Sequence, residues 1–576
     1  MTAAAAAALT APAVHHAHRD ELDAAVAELA ARRATWMGVS VAARIALVDE
    51  LVRDVATHAE RWAAACMEAE GLDPRTPASA EEWLVGPYLT LRQLRLLRRA
   101  LVDIERGGVP RIPGPVRALP DGRAAARVFP ADRFDRLMYL GASGEVWMQP
   151  GVTPAGLAAT QAVAYRSPDA GGVCLVLGAG NVSSIAPLDA VYKLFVENRV
   201  VILKTHPALA YLGPILEAAF GALVRGGWLR IVHGGAVEGA HLVHHPQVDE
   251  VHITGADHSY RAIVYGSGLE GAARRAQDQP LVTKPISAEL GNLTPVIVVP
   301  GAWTNAEIDL QADNVASMLT NNAGFNCTAI RLLVTQADWP LRRPFLDAVR
   351  ERLAKTEVRR AHYPGADERF DAFMAAHPEA ERYGTRDATH LPWALISDLD
   401  PRRRDDPCFT TEAFCSVTGE VPIPSDGVAD YLARAVAFVN ESVAGTLNAT
   451  LIANPASLRH SEIGPAIERA IADLRYGTVG LNHWSGIGYA LGITPWGAYP
   501  GHTRTDIGSG VGVVHNSLMF SRVEKTVLRG PFRPFPKPIW FGSHRTAHRM
   551  APRMVAFERH PSLWRVAAML PLAVRG

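Results

Sequence analysis

One cysteine stands in a short polar, glycine-containing stretch near the middle of the chain. Cys327 lies within residues 321–329, between a helix-like run (residues 308–319) and a strand-like run (residues 330–334). A free cysteine is most often a small buried hydrophobic residue, so this cysteine alone indicates no chemistry. It becomes a candidate nucleophile if the chain also supplies a base, an oxyanion donor and a cofactor site.

A glutamate and an asparagine are candidates for the base and the donor. Glu289 lies among apolar residues, with Gly291 two positions on. Alone it is more simply a surface acid, but beside a thiol its carboxylate could accept a proton from that thiol or from water. Asn181 ends the turn at residues 178–181, which follows the apolar run 173–177. An amide N–H aimed into a cleft from this turn would suit an oxyanion.

The residues after two further apolar runs could bind a nucleotide. Lys204 ends the run at residues 199–204, and Gly255 follows the run at residues 250–253. A lysine in this place more often reaches into solvent, but its ammonium could also bond ribose hydroxyls. The glycines near Asn181 form an incomplete dinucleotide fingerprint, because Ser183 occupies its sixth position and no acid ends the next strand.

The spacing of apolar runs predicts the elements that hold these residues. From Gly171 onward, short strands alternate with helices, which predicts a parallel sheet covered on both faces. Such sheets bind ligands beyond the carboxyl ends of their strands, where Asn181, Lys204 and Gly255 would lie. Helix and strand patterns alternate again from about residue 295 to 481. Residues 133–151 carry a β-hairpin pattern, and residues 501–520 can form a further strand.

Length and composition limit the class of protein. A chain of 576 residues is expected to form two or three domains, and 48% apolar with 20% charged residues is typical of globular proteins. A net charge of zero gives no reason to expect nucleic acid binding. Five cysteines without metal-ligand spacing favour a reduced cytoplasmic enzyme without a metal. Residues 1–14 lack the features of a signal peptide, and no apolar run is long enough to cross a membrane.

The chain ends in a basic segment. Residues 521–576 contain eleven Lys or Arg and two Glu, which gives +9 and leaves −9 for the remainder. Residues 531–538 are proline-rich and predicted to be extended. Beyond them, apolar residues are interleaved with Arg and His. Such a segment could make weak contact with an anionic membrane surface, or it could cover an acidic neighbouring subunit.

Taken together and in order, these residues resemble the aldehyde dehydrogenase superfamily over about residues 20–520. Asn181 and Lys204 are 23 positions apart, as the corresponding family residues are. Other segments resemble family motifs: Glu289–Pro295 (E-L-G-G-K-x-P), Phe325–Cys327 (G-Q-x-C), Ile253–Ala256 (F-T-G-S), Thr411–Phe414 (E-x-F), Val479–Asn482 (G-x-V-x-x-N) and Pro495–Gly497 (P-F-G-G).

The resemblance implies NAD(P)-dependent oxidation of an aldehyde to a carboxylic acid. Cys327 would attack the aldehyde, and the resulting thiohemiacetal would give a thioester. Asn181 and the backbone N–H of Cys327 would hold the oxyanion, and Glu289 would activate water to release the acid. The family also implies roles in cofactor binding: Lys204 and Glu412 at the riboses, Phe414 near the nicotinamide, and Gly255 and Ala256 at the pyrophosphate.

Several positions depart from the family pattern around the cofactor. Gly180 replaces an aromatic residue before the asparagine, and Ala256 replaces a serine. Pro207 replaces the acid that binds the adenosine ribose, so a 2′-phosphate would not be repelled, and His206 could contact it. The choice between NAD and NADP therefore stays open.

The resemblance also implies an α/β fold with a domain plan and an assembly. A Rossmann-like cofactor domain would comprise residues 1–129 and 153–295, and a second α/β catalytic domain residues 296–500. Residues 130–152 and 501–530 would form a small β element for oligomerisation into a homodimer or homotetramer, and residues 531–576 a basic C-terminal extension.

Two alternative functions remain open at the level of sequence. A CoA-acylating aldehyde dehydrogenase would pass the acyl group to CoA, but such enzymes typically lack the glutamate base. A non-catalytic member of the fold would act through its basic tail.

Overall fold

The structure is a computed structural model that describes residues 17–167 and 170–576. The prediction for residues 1–14 lies outside the described residues. Among the helices in these two ranges, none is long and apolar enough to cross a membrane.

Helices and strands alternate along most of the chain. The helices are α1 (Arg19–Met37), α2 (Val41–Glu70), α3 (Ala80–Trp83), α4 (Leu89–Gly107), α5 (Arg133–Met138), α6 (Val163–Arg166), α7 (Ile185–Phe195), α8 (Gly213–Ala219), α9 (Gly221–Gly226), α10 (Ala236–His244), α11 (Asp257–Tyr265), α12 (Gly268–Ala276), α13 (Asn305–Thr320), α14 (Arg342–Lys355), α15 (Ala366–Ala376), α16 (Pro407–Thr410), α17 (Val428–Ser442), α18 (Pro455–Arg459), α19 (Ile463–Asp473), α20 (Ile487–Ala490), α21 (Ala547–Arg559) and α22 (Leu563–Val574). The strands are β1 (Val116–Ala118), β2 (Ala124–Phe129), β3 (Ser143–Met148), β4 (Val173–Leu177), β5 (Val200–Lys204), β6 (Leu229–Val232), β7 (Glu250–Thr254), β8 (Ile286–Glu289), β9 (Thr294–Val298), β10 (Ile330–Gln336), β11 (Glu381–Tyr383), β12 (Trp393–Ile396), β13 (Val417–Ile423), β14 (Asn448–Ile452), β15 (Thr478–Leu481), β16 (Pro495–Trp496), β17 (Gly510–Val511), β18 (Val514–His515) and β19 (Val523–Arg529).

A six-stranded sheet forms the first α/β unit, in the order β17-β8-β7-β4-β5-β6. All neighbours pair in parallel except β17 and β8. The inner strands β4 and β5 consist of apolar residues except for Lys204, which ends β5. Both strands are buried almost throughout, as expected for a sheet covered on both faces. The predicted Rossmann-like sheet is confirmed, and the ends of β4, β5, β7 and β8 lie along one edge.

An eleven-stranded sheet forms the second unit, in the order β1-β2-β3-β19-β15-β14-β9-β10-β13-β12-β11. Strands β19 through β12 run parallel in this order, whereas the outer strands pair antiparallel. The prediction of a second α/β domain is confirmed. The sheet also takes β1 and β2 from residues 116–129, which the sequence prediction had placed with the cofactor domain.

The predicted hairpin at residues 133–151 is wrong in its first half, which is helix α5. Asp132 begins this helix by accepting hydrogen bonds from the N–H groups of Phe134 and Asp135. Asp135 is itself fully buried and pairs with Arg92 of α4 at 3.0 Å. This ion pair requires the helical turn, and it joins residues that lie far apart in the sequence. Only the second half forms a strand, β3, which pairs with β2 and β19.

Residues 501–520 form less strand than predicted. They contain two short strands, β17 and β18, and the long strand β19 begins only at Val523. Strands β3 and β19 belong to the segments predicted for oligomerisation, and they pair with each other inside the larger sheet. A role in assembly stays a prediction.

The C-terminal extension, residues 531–576, folds back onto its own chain. Its helix α21 packs against α2, α3 and α4, and α22 packs against α21 and α5. Met554, Phe557 and Met569 are buried in the core shared by the N-terminal helices and the smaller sheet. The extension is thus built into the monomer, although Trp564 on α22 remains 86% exposed. Contact with a membrane surface stays a prediction.

Candidate functional site

Two cavities meet between the sheets. The first, here called the edge cleft, has a volume of about 1470 Å³ and lies along the carboxyl ends of the six-stranded sheet. The second, here called the apolar cavity, has a volume of about 310 Å³ and lies against the C-terminal extension. Four residues line both cavities: Asn181, Ile185, Glu289 and Cys327. The three predicted catalytic residues therefore occupy the junction through which a ligand in one cavity would reach a ligand in the other.

Side-chain hydrogen bonds hold the loop that carries Cys327. Asn322 has a positive φ of 50°, and its N–H donates to Glu81 at 2.9 Å. Thr294 donates to the carbonyl of Cys327 at 3.1 Å, and Trp484 donates to the carbonyl of Thr328 at 2.9 Å. These contacts come from different elements, so the position of the thiol is fixed by the fold rather than by the loop alone.

Among the cysteines in the described ranges, Cys327 alone is partly exposed. Enclosure by the surrounding protein raises the pKa of its thiol well above the usual value, and the nearby carboxyl groups of Glu289 and Glu412 raise it further. The resting side chain is therefore a neutral thiol, and it needs a base to become a nucleophile.

Glu289 holds a carboxyl group beside this thiol. It ends β8, and its Oε1 lies 3.8 Å from Cys327 Sγ. Burial raises the pKa of Glu289 to about 8, and the carboxylate of Asp189 adds to this effect. The indole N–H of Trp496 donates to Oε1 at 2.7 Å, and this hydrogen bond lowers the pKa of Glu289 in part. The Oε2 atom is buried without a hydrogen-bond partner, so it is available to a ligand or a water molecule.

Asn181 follows β4 and holds its side-chain amide beside the cysteine loop. Its Nδ2 donates to the backbone carbonyl of Phe325 at 2.9 Å, and the backbone carbonyl of Asn181 accepts from Asn322 Nδ2 at 2.8 Å. An amide nitrogen carries two hydrogens, so one remains for a ligand oxygen.

Lys204 lies in the edge cleft, only 7% exposed, rather than extending into solvent. Its Nζ donates to the carbonyl of the adjacent Thr205 at 3.3 Å. Burial lowers the pKa of Lys204 to about 8, which the carboxylate of Glu238 partly offsets. A ligand that places oxygen acceptors beside Nζ would therefore stabilise the charged form of Lys204.

The departures at Gly180 and Pro207 are linked through His206. A Cβ atom on residue 180 would lie 2.2 Å from His206 Nδ1, so the imidazole fills the space that an aromatic side chain would need. The same Nδ1 accepts from the N–H of Ala208 and caps the short helix that begins at Pro207. Burial, and then Lys204, lower the pKa of His206 to about 4, so the ring is neutral and offers no positive charge to a phosphate.

The helix start at Gly255 and Ala256 also lines the edge cleft. Gly255 follows β7, and its N–H donates to the carbonyl of Glu289 at 3.0 Å. Ala256 is the N-cap residue of α11, so backbone N–H groups of the first helical turn are available at this position.

Glu412 and Phe414 approach the cleft from the larger domain. Burial raises the pKa of Glu412 to about 7, although Arg331 lowers it in part. Its Oε1 has no hydrogen-bond partner. A Cβ atom on Gly291 would lie 2.4 Å from Glu412 Oε2, so this glycine admits the carboxylate. Arg369 donates to the carbonyl of Phe414 at 3.1 Å and fixes the backbone there.

Sequence reasoning missed three contributions to the site. Trp496 was noted as part of a motif, but its hydrogen bond to Glu289 joins residues 207 positions apart. Tyr363 lines the edge cleft and contacts Phe414 with ring centroids 4.9 Å apart. Asp189 is completely buried in α7 and accepts a hydrogen bond from Thr254 at 2.9 Å. Its negative charge contributes to the raised pKa of Glu289. No local pattern in the sequence indicates these contacts.

Comparison with known proteins identifies a family for part of this chain. The aldehyde dehydrogenase family pattern matches residues 135–368, a range that includes Asn181, Lys204, Glu289 and Cys327. This chain contains an aldehyde dehydrogenase family domain. The resemblance stated from the sequence is therefore confirmed. No curated protein sequence matches the chain.

Solved aldehyde dehydrogenases share the fold at low sequence identity. A Bacillus halodurans NADP-dependent glyceraldehyde-3-phosphate dehydrogenase is 17% identical, with a TM-score of 0.58, covering 89% of this chain and 92% of its own. Pseudomonas syringae aldehyde dehydrogenase C is 17% identical, with a TM-score of 0.60 and 90% coverage of each chain. An NAD-dependent aldehyde dehydrogenase from Sinorhizobium meliloti is 18% identical, with a TM-score of 0.58, covering 91% and 89%.

Proposed function

We propose that this protein oxidises an aldehyde to a carboxylic acid with NAD or NADP, through a thioester on Cys327. The observation that carries the proposal is the position of Cys327 and Glu289 at the junction of the two cavities. An aldehyde in the apolar cavity and a nucleotide in the edge cleft would meet at the thiol.

The first step needs a nucleophile and a place for negative charge. Glu289, 3.8 Å from the thiol, takes the proton of Cys327 as the sulfur attacks the aldehyde carbon. The carbonyl oxygen gains negative charge, which the second N–H of the Asn181 amide and the backbone N–H of Cys327 stabilise. The product of this step is a thiohemiacetal.

The groups that line the edge cleft suit a nicotinamide dinucleotide. Lys204 offers an ammonium to the adenosine ribose, and the unpartnered Oε1 of Glu412 suits a ribose hydroxyl. Gly255 and Ala256 present the start of α11 to a pyrophosphate, and Phe414 would pack near the nicotinamide. When bound, the nicotinamide supplies a hydride acceptor, so that the thiohemiacetal becomes a thioester. Pro207 carries no charge, which leaves both NAD and NADP acceptable. Solved neighbours contain NADP in one case and NAD+ with octanal in another.

Glu289 also serves the release step. Once the proton taken from the thiol has passed to solvent, the Glu289 carboxylate removes a proton from water, which attacks the thioester carbon. That proton returns to the sulfur as the acid leaves. In sum, the aldehyde, water and the oxidised nucleotide give the acid, the reduced nucleotide and a proton. Because the pKa of Glu289 is raised to about 8, acid release is expected to accelerate as the pH increases through that value.

The test is a panel of aldehydes assayed with NAD and NADP in parallel, without CoA. We expect reduced nucleotide and free acid in equal amounts. If the nucleotide is reduced only after CoA is added, and the product is acyl-CoA, the CoA-acylating alternative is favoured. Failure of every aldehyde to reduce either nucleotide, while the nucleotides still bind, would favour a non-catalytic role.

Assembly and location remain part of this proposal. Residues 130–152 and 501–530 are proposed to contribute to a homodimer or homotetramer, and the enzyme is proposed to be cytoplasmic. Light scattering of the purified protein measures its oligomeric state directly. A monomeric mass would rule out the homodimer and the homotetramer.

A further inference from the structure

We propose that the C-terminal extension forms the outer wall of the substrate cavity and selects aldehydes with a long apolar chain. This inference rests on the proposed function, because it names the substrate class of the same site. It concerns residues 531–576, which the domain match at residues 135–368 does not include.

The extension contributes a large share of the cavity wall. Of the 44 residues that line the apolar cavity, 16 belong to residues 531–576. They come from the proline-rich stretch at residues 531–541 and from both α21 and α22. Without the extension, the space in front of Cys327 would have no wall on that side.

The wall that the extension builds is apolar and adaptable. Met550, Met554 and Met569 all face the cavity, together with Leu570 and Ala573. Methionine side chains are flexible and polarisable, so they adjust to an alkyl chain better than a rigid wall would. Charged lining residues are few: Glu81, Glu289 and Lys537. A volume of about 310 Å³ is at the lower end of the range for small-molecule sites.

A buried ion network fixes the extension in place. Glu558 of α21 is 1% exposed, and it accepts from Arg92 at 3.2 Å and from Arg95 at 2.5 Å. Arg92 is fully buried and also pairs with Asp135. Withdrawal of α21 would leave these buried charges with fewer partners, which is costly. The extension is therefore a permanent wall rather than a lid.

Apolar side chains also surround the outer part of the cavity. Leu137 is 50% exposed, Leu140 54%, Phe535 70% and Leu570 58%, and all four line the cavity. A substrate that enters past them would remain in contact with hydrophobic surface until its carbonyl reaches Cys327. Short or charged aldehydes would gain nothing from this route.

The experiment compares straight-chain aldehydes from propanal to dodecanal with the full-length protein. For the wild type, kcat/KM is expected to rise about fourfold for each added methylene until the cavity is filled. Ala573→Phe puts a ring into the cavity, so it should lower kcat/KM for dodecanal at least about tenfold and leave propanal within about twofold. Ala567→Phe is the matched control, because Ala567 is on the same helix, exposed, and does not line the cavity.

Two results would overturn the inference. One is a wild-type enzyme that oxidises propanal as efficiently as dodecanal. The other is an equal loss for all chain lengths in Ala573→Phe. If that variant does not fold, as judged by thermal unfolding, Met569→Ala replaces it. Met569 is 3% exposed and lines the cavity, so its loss should weaken dodecanal turnover selectively. An unchanged chain-length profile in Met569→Ala would equally contradict the inference.

A binding measurement separates this inference from the proposed function. Straight-chain primary amides have the carbonyl of the substrate but cannot be oxidised. Their affinity for the wild type should increase with chain length, and it should fall for the long amides in Ala573→Phe. This pattern together with an absence of aldehyde oxidation would leave the cavity assignment standing and reject the activity. Affinity that is independent of chain length would reject the assignment whatever the activity.

Discussion

The hydrogen bond from Trp496 to Glu289 is predicted to set the pH range in which the enzyme works. Trp496→Phe removes the indole N–H, which lies 2.7 Å from Glu289 Oε1, and keeps an aromatic ring in the same place. The donor stabilises the ionised carboxylate, so its loss must raise the pKa of Glu289 further.

The magnitude follows from the strength of such a bond. A hydrogen bond to a charged group contributes about 1.5–3 kcal/mol, and a pKa changes by one for about 1.4 kcal/mol. The pKa of Glu289 is about 8 in the intact site. It is expected to reach about 9 or higher in Trp496→Phe. Only the carboxylate acts as a base, so at neutral pH the base-dependent rate should fall about tenfold.

The assay is the pH dependence of kcat under conditions in which acid release limits turnover. The wild-type rate should rise with pH through about 8, and the rising limb should move to higher pH in the variant. Trp339→Phe is a suitable control, since Trp339 is also buried and donates to a backbone carbonyl, that of Gly301. An unchanged limb in Trp496→Phe would refute the reasoning, because Glu289 would then not be the titrating base.

Two further substitutions test other parts of the site. Cys327→Ala should reduce aldehyde oxidation by at least about a thousandfold while nucleotide binding, measured by fluorescence titration, is retained. Comparable turnover in that variant would exclude the thiol as the nucleophile. Gly180→Ala forces a Cβ atom toward His206 Nδ1, so the ring must move and the KM for the nucleotide should rise about tenfold. The double variant Gly180→Ala/His206→Ala should recover most of that loss, and failure to do so would show that His206 is not the obstacle.

Local patterns in the sequence are sufficient for much of the fold. The runs at residues 173–177, 199–204 and 250–253 correspond to β4, β5 and β7, and their bounds agree with the structure to within one residue. The helix before Cys327 and the strand after it were predicted close to their observed limits, so the junction that exposes the thiol follows from sequence. Each of these elements depends on residues that are near one another in the chain.

Features that depend on long-range contacts were not predictable in this way. Helix α5 replaces a predicted strand because Asp135 pairs with Arg92, 43 residues earlier. The extension has the composition of a basic amphipathic tail, yet Glu558 joins it to α4, 463 residues away from Arg95. Its place beside Cys327 becomes visible only once the chain is folded.

The departures from the family pattern around the cofactor have a structural cause that no local sequence pattern indicates. Gly180 and Pro207 were noted separately, each as the absence of a family residue. The structure joins them through one imidazole, which fills the space above Gly180 and caps the helix at Pro207. Because the pKa of His206 is lowered to about 4, the predicted contact with a 2′-phosphate would come from an uncharged imidazole.

The central claim is that the substrate becomes a thioester on Cys327 which Glu289 helps to hydrolyse. The most direct test is to mix Glu289→Gln with an aldehyde and NAD or NADP, quench in acid within one turnover, and determine the mass of the peptide that contains Cys327. Because this substitution also removes the base for the thiol, acylation should be slow. Acid release should be slower still, so this peptide should gain the mass of the acyl group in an amount close to that of the nucleotide reduced. An unmodified Cys327 peptide in a variant that still reduces the nucleotide would contradict the claim.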